Sequence, residues 1–289
     1  MHYLDEGPRD GPPVLMLHGN PTWSFYYRNL VLALRDRYRC IVPDHIGCGL
    51  SDKPDDAQYD YRLKSRIEDL HTLLRQLDLQ QPLTLVVHDW GGMIGFAWAV
   101  RHPERIARMV ILNTAAFPLP PDKKMPAALS LVRNTRLGAF LVTRFNAFSG
   151  IAARVAFKKP VSREVRRAYT LPYDSPEHRI ATLRFVQDIP LARNDPGFDI
   201  LLETSEHLHL LREKPCLIAW GERDFVFDAP FLNTWLDVYP EAAVRRYRDC
   251  GHYVLEDAGE ELLDTIVNFI GIREDSNHGH ASGKQLEVG

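Results

Sequence analysis

The sequence predicts an α/β fold in which a mostly parallel sheet carries helices on both faces. Two observations support this fold class: apolar runs of strand length alternate with segments of helical periodicity, and the alternation breaks off between residues 115 and 211 before it resumes. The 289 residues, 45% of them apolar, are enough to bury the core of one large domain. We therefore expect a single sheet whose chain is interrupted by a helical insertion.

The elements follow one another in a regular order. Strands are expected at six apolar runs, residues 14–17, 39–42, 83–87, 106–112, 216–220 and 243–247. Helices are expected at residues 24–34, 63–77, 92–100, 230–238 and 260–270, with Ser24 as the N-cap of the first. Residues 1–114 and 212–272 then form the two parts of the core, 115–211 form a helical cap, and 273–289 form a polar, disordered tail.

Composition limits the classes of partner. The net charge of −3 leaves no basic footprint for nucleic acid and no polybasic segment for attachment to a membrane. No apolar run approaches the ~20 residues that span a bilayer, and the first residues lack the pattern of a signal peptide, so a cytoplasmic protein is expected. The four cysteines form no CxxC pair, and no spaced set of His, Cys and carboxylates appears. We expect neither a metal nor a cofactor.

The most informative residue is Asp89. It stands between an apolar strand and a glycine-rich helix start, which is the context of a nucleophile elbow. Most such elbows carry a serine, but an aspartate is already anionic at neutral pH because its unperturbed pKa is ~3.9. It can displace a leaving group at a saturated carbon and form an ester on its own side chain. The simpler interpretation of Asp89 is a helix N-cap, but further motifs at matching chain positions favour the nucleophile.

Two residues can complete a triad with Asp89. Asp224 follows the strand at 216–220, and Asp228, four residues on, is its local competitor. Asp224 is favoured because it is nearer the strand end, where the loops that build such sites emerge. His252 follows the last strand, which gives the chain order nucleophile, acid, histidine. In a hydrolytic mechanism His252 is expected to deprotonate water, while Asp224 orients the imidazole.

Two hydrogen-bond donors flank the elbow. Asn20 follows the strand at 14–17 and offers side-chain N–H groups, and Trp90, directly after Asp89, offers an indole N–H. If both point at a departing anion, they stabilise its charge as it develops. The simpler roles are a turn residue for Asn20 and a core aromatic for Trp90. Their position on both sides of Asp89 favours the leaving-group role.

These motifs together resemble the haloalkane dehalogenase branch of the α/β-hydrolases over essentially the whole chain. The matching segments are HGNPTWS at 18–24, DHIGCGLSDKP at 44–54 and HDWGG at 88–92. One subgroup of the branch takes its acid after the strand at 106–112, where this chain has no carboxylate. An α/β-hydrolase sheet normally opens with an antiparallel hairpin, and residues 1–7 look like only the end of one. The resemblance implies an α/β-hydrolase fold and assigns the catalytic and leaving-group roles to Asp89, Asp224, His252, Asn20 and Trp90.

Within the branch, the chain looks most like the subgroup that includes the β-lactone decarboxylases of bacterial long-chain olefin biosynthesis. That resemblance rests on residues 113–120, 144–149, 172–175, 179–191 and 220–228. It implies a small hydrophobic substrate, a cis-β-lactone with two alkyl arms, which is converted to a cis-alkene and carbon dioxide. Apolar runs at 127–132 and 137–142 could line a path for the alkyl chains, although packing the cap on the core is the commoner role of such runs.

Alternative functions stay open at this point. A haloalkane dehalogenase would use the same five residues and complete hydrolysis to alcohol and halide. An epoxide hydrolase needs cap tyrosines, for which Tyr169 and Tyr173 are the candidates. A non-catalytic binding protein would show a broken triad, and none of the expected residues is missing.

The expected partners follow from the same resemblance. A homo-oligomer or a complex with olefin-biosynthesis enzymes is conceivable, with the apolar, arginine-rich cap as a docking face. Its arginines are Arg133, Arg136, Arg144 and Arg154. Solvated arginines on a helix surface are the commoner explanation of such a pattern.

Overall fold

The protein, analysed as a computed structural model, is described over residues 1–121 and 123–271. Its strands are β1 (Tyr3–Glu6), β2 (Pro13–Leu17), β3 (Arg39–Pro43), β4 (Leu83–Asp89), β5 (Ile106–Thr114), β6 (Cys216–Gly221) and β7 (Ala243–Tyr247). They form one sheet in the order β1-β3-β2-β4-β5-β6-β7. β1 pairs antiparallel with β3 at one edge, and the other neighbouring pairs are parallel. The predicted α/β fold class is confirmed.

Helices connect the strands and fill the interruption between β5 and β6. Those that pack on the sheet are α1 (Arg28–Leu34), α2 (Leu63–Leu77), α3 (Trp90–Ala99), α10 (Ala229–Val238), α11 (Val254–Ala258) and α12 (Glu260–Gly271). The inserted helices are α4 (Ala127–Asn134), α5 (Arg136–Phe145), α6 (Ala147–Val155), α7 (Arg163–Thr170), α8 (Ile180–Gln187) and α9 (Phe198–His207). Within the described residues, no helix is long and apolar enough to cross a bilayer. The tail predicted at 273–289 lies outside them.

Two apolar clusters cover the two faces of the sheet because alternate strand residues point to opposite sides. In β2, Leu15 and Leu17 belong to the cluster that includes residues of α2, α3 and α10. Val14 and Met16 belong to the cluster that includes residues of α1 and α12. The central strands β2 and β4 are buried on both faces, as expected of parallel strands between two helical layers.

The first helix differs from its prediction. The chain from Ser24 to Tyr27 forms a 3₁₀ turn, and α1 begins only at Arg28. Ser24 is not the N-cap; its own backbone N–H donates to Asp44 Oδ1 at 2.7 Å. A carboxylate twenty positions away therefore binds the backbone N–H of Ser24, and the Ser24 hydroxyl does not cap the turn.

The inserted helices are anchored to the core through α8. Asp188, at the end of α8, accepts a hydrogen bond from Arg62 at 2.8 Å and one from the Leu63 backbone N–H at 2.7 Å. The guanidinium of Arg66 lies 3.5 Å from the centre of the Phe185 ring, a cation–π geometry. The first turn of α2 therefore fixes the position of α8 over the sheet.

The turn from β4 into α3 needs a glycine at position 91. A Cβ placed on Gly91 would lie 2.0 Å from the carbonyl oxygen of Leu17. That carbonyl belongs to the end of β2, so the neighbouring backbone has no freedom to withdraw. The close approach of two backbones is what lets the elbow sit directly beside the loop that follows β2.

We expect Gly91→Ala to lower the free energy of unfolding by about 3 kcal/mol, because the added methyl group collides with backbone. Gly150→Ala is the matched control, since a Cβ at Gly150 has no atom within 4 Å and lies inside α6. Alanine should stabilise that helix by about 0.5–1 kcal/mol. Urea denaturation followed by circular dichroism measures both changes. Equal effects of the two substitutions would contradict the steric argument.

Candidate active site

Asp89 occupies the strained turn between β4 and α3. Its backbone adopts φ 50° and ψ −124°, outside the region that L-residues prefer. Its side chain makes no capping hydrogen bond to α3. The carboxylate instead accepts a hydrogen bond from the Asn20 backbone N–H, with 2.7 Å between N and Oδ1. The loop after β2 therefore binds the Asp89 carboxylate, and the N-cap alternative loses its support.

The carboxylate of Asp89 is buried, and the charged side chains that act on it are His252 and Asp224. Burial raises the pKa of Asp89, while the positive charge of His252 and the backbone N–H groups of Asn20 and Trp90 act in the opposite direction. His252 Nε2 lies 3.8 Å from Asp89 Oδ2. A carboxylate with so little solvent keeps its nucleophilicity because water does not solvate the attacking oxygen.

The His252 imidazole is held by the Asp224 carboxylate. The distance between His252 Nδ1 and Asp224 Oδ2 is 2.8 Å. Burial alone would lower the pKa of His252, but the charge and hydrogen bond of Asp224, with the charge of Asp89, outweigh it and raise the pKa. The imidazole nitrogen that faces Asp89 is Nε2, so the three side chains form a continuous line from acid to nucleophile.

Asp228, the competing acid, is placed elsewhere. Its carboxylate pairs with Lys123 at 2.6 Å at the start of α10. Asp224 is 4% exposed, whereas the side chain of Asp228 is 37% exposed. Geometry therefore favours Asp224 as the partner of His252.

Asn20 and Trp90 lie on either side of Asp89 and both line the same cavity. The Asn20 side-chain amide donates one hydrogen bond to the carbonyl of Thr182 in α8, at 3.0 Å. An amide group has two N–H bonds, so the second remains for a ligand. The indole N–H of Trp90 has no protein acceptor among the described residues, and it too can bind an anion in the cavity.

The cavity above Asp89 has a volume of about 380 Å³ and is lined almost entirely by apolar side chains. Its polar lining groups near the elbow are Asn20, Asp89 and His252. Most of its wall comes from the insertion, through residues that include Ala128, Leu129, Leu131, Val132, Gly138, Leu141, Phe148 and Ile151. Both apolar runs considered for the alkyl path, 127–132 and 137–142, contribute residues to it. The arrangement suits a hydrophobic substrate with one polar reactive group.

Sequence reasoning missed two residues that hold the triad. Asn113, at the end of β5, donates through its amide to Asp224 Oδ2 at 3.0 Å and accepts from the Gly221 backbone N–H at 2.8 Å. It lies in the stretch in which the sequence shows no carboxylate, and its amide orients the acid of the following strand. Its polar character at a strand end was the only signal in the sequence.

The second missed residue is His88, directly before the nucleophile. Burial, with the neighbouring charge of His252, holds the pKa of His88 well below its usual range, so it is neutral. Its Nε2 lies 2.8 Å from the carbonyl oxygen of His252, to which it donates. His88 thus positions the backbone of the base rather than its ring.

The tyrosines of the epoxide hydrolase alternative do not reach the cavity. The Tyr169 hydroxyl donates to Glu256, and the Tyr173 hydroxyl donates to the carbonyl of Thr22 at 3.2 Å. Neither side chain lines the cavity above Asp89. This geometry removes the two donors that an epoxide oxygen would require.

Fold and elbow together define a class of protein. The chain belongs to the α/β hydrolase fold family, whose sequence model matches residues 12–259. This assignment agrees with the sheet order, the turn at Asp89 and the helices inserted between β5 and β6.

Relatives within the family are of two kinds. The cis-3-alkyl-4-alkyloxetan-2-one decarboxylase of Shewanella oneidensis is 55% identical over 93% of this chain and 85% of that protein. The protein of the same name from Xanthomonas campestris pv. campestris is 51% identical over 93% of this chain and 92% of its own. The crystal structure of haloalkane dehalogenase DbeA from Bradyrhizobium elkani aligns with a TM-score of 0.85 at 27% identity, over 95% of this chain and 94% of that one. The predicted resemblance to both groups is confirmed.

We expect Asp224→Asn to lower the pKa of His252, because the largest charge that raises it is removed while burial remains. Asp228→Asn is the matched control and should leave this pKa unchanged, since Asp228 pairs with Lys123. Nitrogen-detected NMR of the labelled imidazole, assigned with His252→Gln, measures the titration. A shift of similar size in both variants would show that Asp224 is not the specific partner.

Proposed function

We propose that this protein is a β-lactone decarboxylase, which converts cis-3-alkyl-4-alkyloxetan-2-ones to cis-alkenes and carbon dioxide. The observation that carries the proposal is a buried carboxylate, Asp89, at the base of an apolar cavity with two anion donors beside it. The name of the relatives with 55% and 51% identity supports the choice of substrate.

The first step is an attack by Asp89 on the saturated ring carbon that bears the lactone oxygen. A bond forms between the carboxylate oxygen and that carbon, and the ring carbon–oxygen bond breaks. The departing group is a carboxylate, which the free N–H of Asn20 and the indole N–H of Trp90 stabilise as its charge develops. These two donors already line the cavity, so little reorganisation is needed at the moment of reaction.

The second step returns Asp89 to its original form. The bond between the carboxylate and the adjacent carbon breaks, its electron pair forms the alkene, and the ester bond to Asp89 breaks to release the aspartate. Neither water nor a net proton is consumed. The attack inverts the configuration at the ring carbon that Asp89 attacks. In the elimination, the carboxylate and the aspartate then leave from opposite sides of the bond that becomes the alkene. Inversion followed by this anti elimination keeps the two alkyl arms on the same side, which gives the cis-alkene.

In this scheme His252 acts through its charge. Its raised pKa favours the imidazolium, which lies beside Asp89 and is stabilised by Asp224. A positive charge 3.8 Å from the nucleophile stabilises the aspartate as it departs in the second step. Asp224 and Asn113 are positioning residues, since neither lines the cavity.

We also propose that residues 115–211 form a cap domain. The two parts of the core that it covers are then residues 1–114 and 212–272. The cap's apolar side chains form the walls that two alkyl arms would contact, while the reactive ring lies at Asp89. Formation of homo-oligomers, or of a complex with enzymes of olefin biosynthesis, stays a prediction that native mass spectrometry can test.

Haloalkane hydrolysis is the alternative, favoured by the structural similarity to DbeA. It shares the first step, with a halide as the departing anion. It then requires neutral His252 to activate a water that attacks the Asp89 ester. The two functions therefore differ in the second step and in the charge state of one residue.

We expect Asp89→Asn to reduce release of carbon dioxide from a cis-3,4-dialkyl-oxetan-2-one by about 10⁴-fold or more, because an amide cannot displace the ring oxygen. Headspace carbon dioxide and the alkene are measured by gas chromatography, and bromide release from a 1-bromoalkane is measured in parallel. Asp199→Asn, at an exposed position in α9, is the control. Bromide release by the parent protein with no carbon dioxide from the lactone would replace the proposal by the alternative. Parental carbon dioxide release from intact, non-deamidated Asp89→Asn would refute the nucleophile.

The pH dependence should separate the two reactions. Decarboxylation needs anionic Asp89 and does not need neutral His252, so at acid pH its rate should fall only as the Asp89 carboxyl is protonated, at its raised pKa. Steady-state bromide release also needs neutral His252, so it should fall already as pH drops through the raised pKa of the imidazole, above 6.5. The acid limb for carbon dioxide should therefore lie at lower pH than the acid limb for bromide. Coincident limbs in rate profiles from pH 4 to 9 would contradict the proposed charge state of His252.

A further inference from the structure

The net charge of the chain conceals a strong asymmetry. Residues 123–170, which contain α4 to α7, carry eleven lysines and arginines and one acidic residue, Glu164, although the whole chain has a net charge of −3. The rest of the protein is therefore markedly acidic. The prediction of no polybasic attachment segment considered only the total charge, and the fold collects the positive charge in one region.

Several of these basic side chains are exposed and unpaired. Lys123 and Arg133 form ion pairs with Asp228 and Asp195. Six other arginines are exposed and form no ion pair within the described chain: Arg136, Arg144, Arg154, Arg163, Arg166 and Arg167. Because the protein supplies no counter-charge, this surface is suited to an anionic partner.

The same region exposes large apolar side chains. Six of the thirteen exposed large apolar residues of the described chain lie in α4 to α6, a stretch of only residues 127–155. They are Leu131, Leu137, Phe140, Phe145, Ile151 and Val155. On α5, Arg136, Leu137, Phe140 and Arg144 follow one another at spacings that place them on one side of the helix. When arginine and apolar groups share one side of a helix, the apolar groups can enter the acyl boundary of a bilayer while the arginine side chains extend to the headgroups.

The mouth of the cavity lies within this surface. Leu131, Ile151 and Val155 are both exposed and part of the cavity lining, as is Phe225 in the loop after β6. On the inner side of α5, Gly138 and Leu141 line the cavity. The exposed apolar groups are thus continuous with the apolar interior that ends at Asp89.

We propose that the outer side of α5, together with this rim, docks on the surface of an anionic lipid bilayer, with the cavity open toward the acyl chains. A protein bound at the same place would have to match the positive charge and would also cover the cavity mouth. A bilayer matches the charge with its headgroups, while the arginines extend to them and the phenylalanine and leucine side chains enter the acyl boundary. That an apolar lactone enters from the bilayer rests on the proposed function; the docking itself does not.

The full chain is tested by sedimentation with vesicles of phosphatidylethanolamine containing 30% phosphatidylglycerol, and with vesicles of phosphatidylcholine alone. We expect binding to the first, weaker binding to the second, and release as sodium chloride rises from 0.05 to 0.5 M. Arg136→Glu/Arg144→Glu should weaken binding about tenfold or more, and Leu137→Ser/Phe140→Ser should weaken it on both vesicle types. Absence of binding to the anionic vesicles at low salt would overturn the proposal.

Control variants test whether vesicle binding depends on this surface in particular and whether it is independent of the proposed reaction. Leu32→Ser and Arg75→Glu change exposed residues of α1 and α2 and should bind as the parent does. Equal losses in these variants would overturn the proposal. Asp89→Asn should bind vesicles normally, so vesicle binding without carbon dioxide release refutes the proposed function alone. Light scattering could instead show that the parent protein is a dimer and that Leu137→Ser/Phe140→Ser abolishes the dimer. If the parent also failed to bind vesicles, the surface would be assigned to self-association.

Discussion

The backbone of Asp89 is the constraint on which the site depends. A non-glycine residue at φ 50° and ψ −124° costs on the order of 1–3 kcal/mol and persists only where the surroundings enforce it. Here Gly91 lies against the carbonyl of Leu17, and a Cβ on Gly19 would lie 2.2 Å from the Asp89 carboxylate. The Thr114 hydroxyl also donates to the Asp89 carbonyl. Three neighbouring strands therefore hold one carboxylate above the sheet, next to the Asn20 N–H.

Much of this could be predicted from the sequence because its signals are local. Strand ends and glycine-rich turns identify Asp89, Asp224 and His252, since the carboxyl ends of parallel strands meet at one edge of a sheet. Asn20 and Trp90 follow from their positions beside the elbow. The apolar periodicity also predicted the core helices, and α2 has the bounds that were predicted for it.

The rest depends on register and on contacts between distant segments. Asn113 reaches Asp224 because β5 and β6 are neighbours with a particular register, which no local pattern encodes. The segment before α1 was misjudged because Ser24 donates its backbone N–H to Asp44, a residue just after β3, and begins a 3₁₀ turn rather than capping the helix. The charge asymmetry was present in the sequence, but only the fold shows that Arg136, Arg144 and Arg154 belong to helices that line an apolar cavity.

The hydrogen bond from Asn20 to the Thr182 carbonyl links the anion donors to the insertion. Thr182 takes part through its main chain, so the identity of its side chain is irrelevant to the link. Small displacements of α8, accumulated through substitutions anywhere in the inserted helices, would re-aim the amide while every residue of the core stayed the same. Related enzymes can therefore come to expel different anions through genetic drift in the insertion, a segment that never touches the reacting atoms.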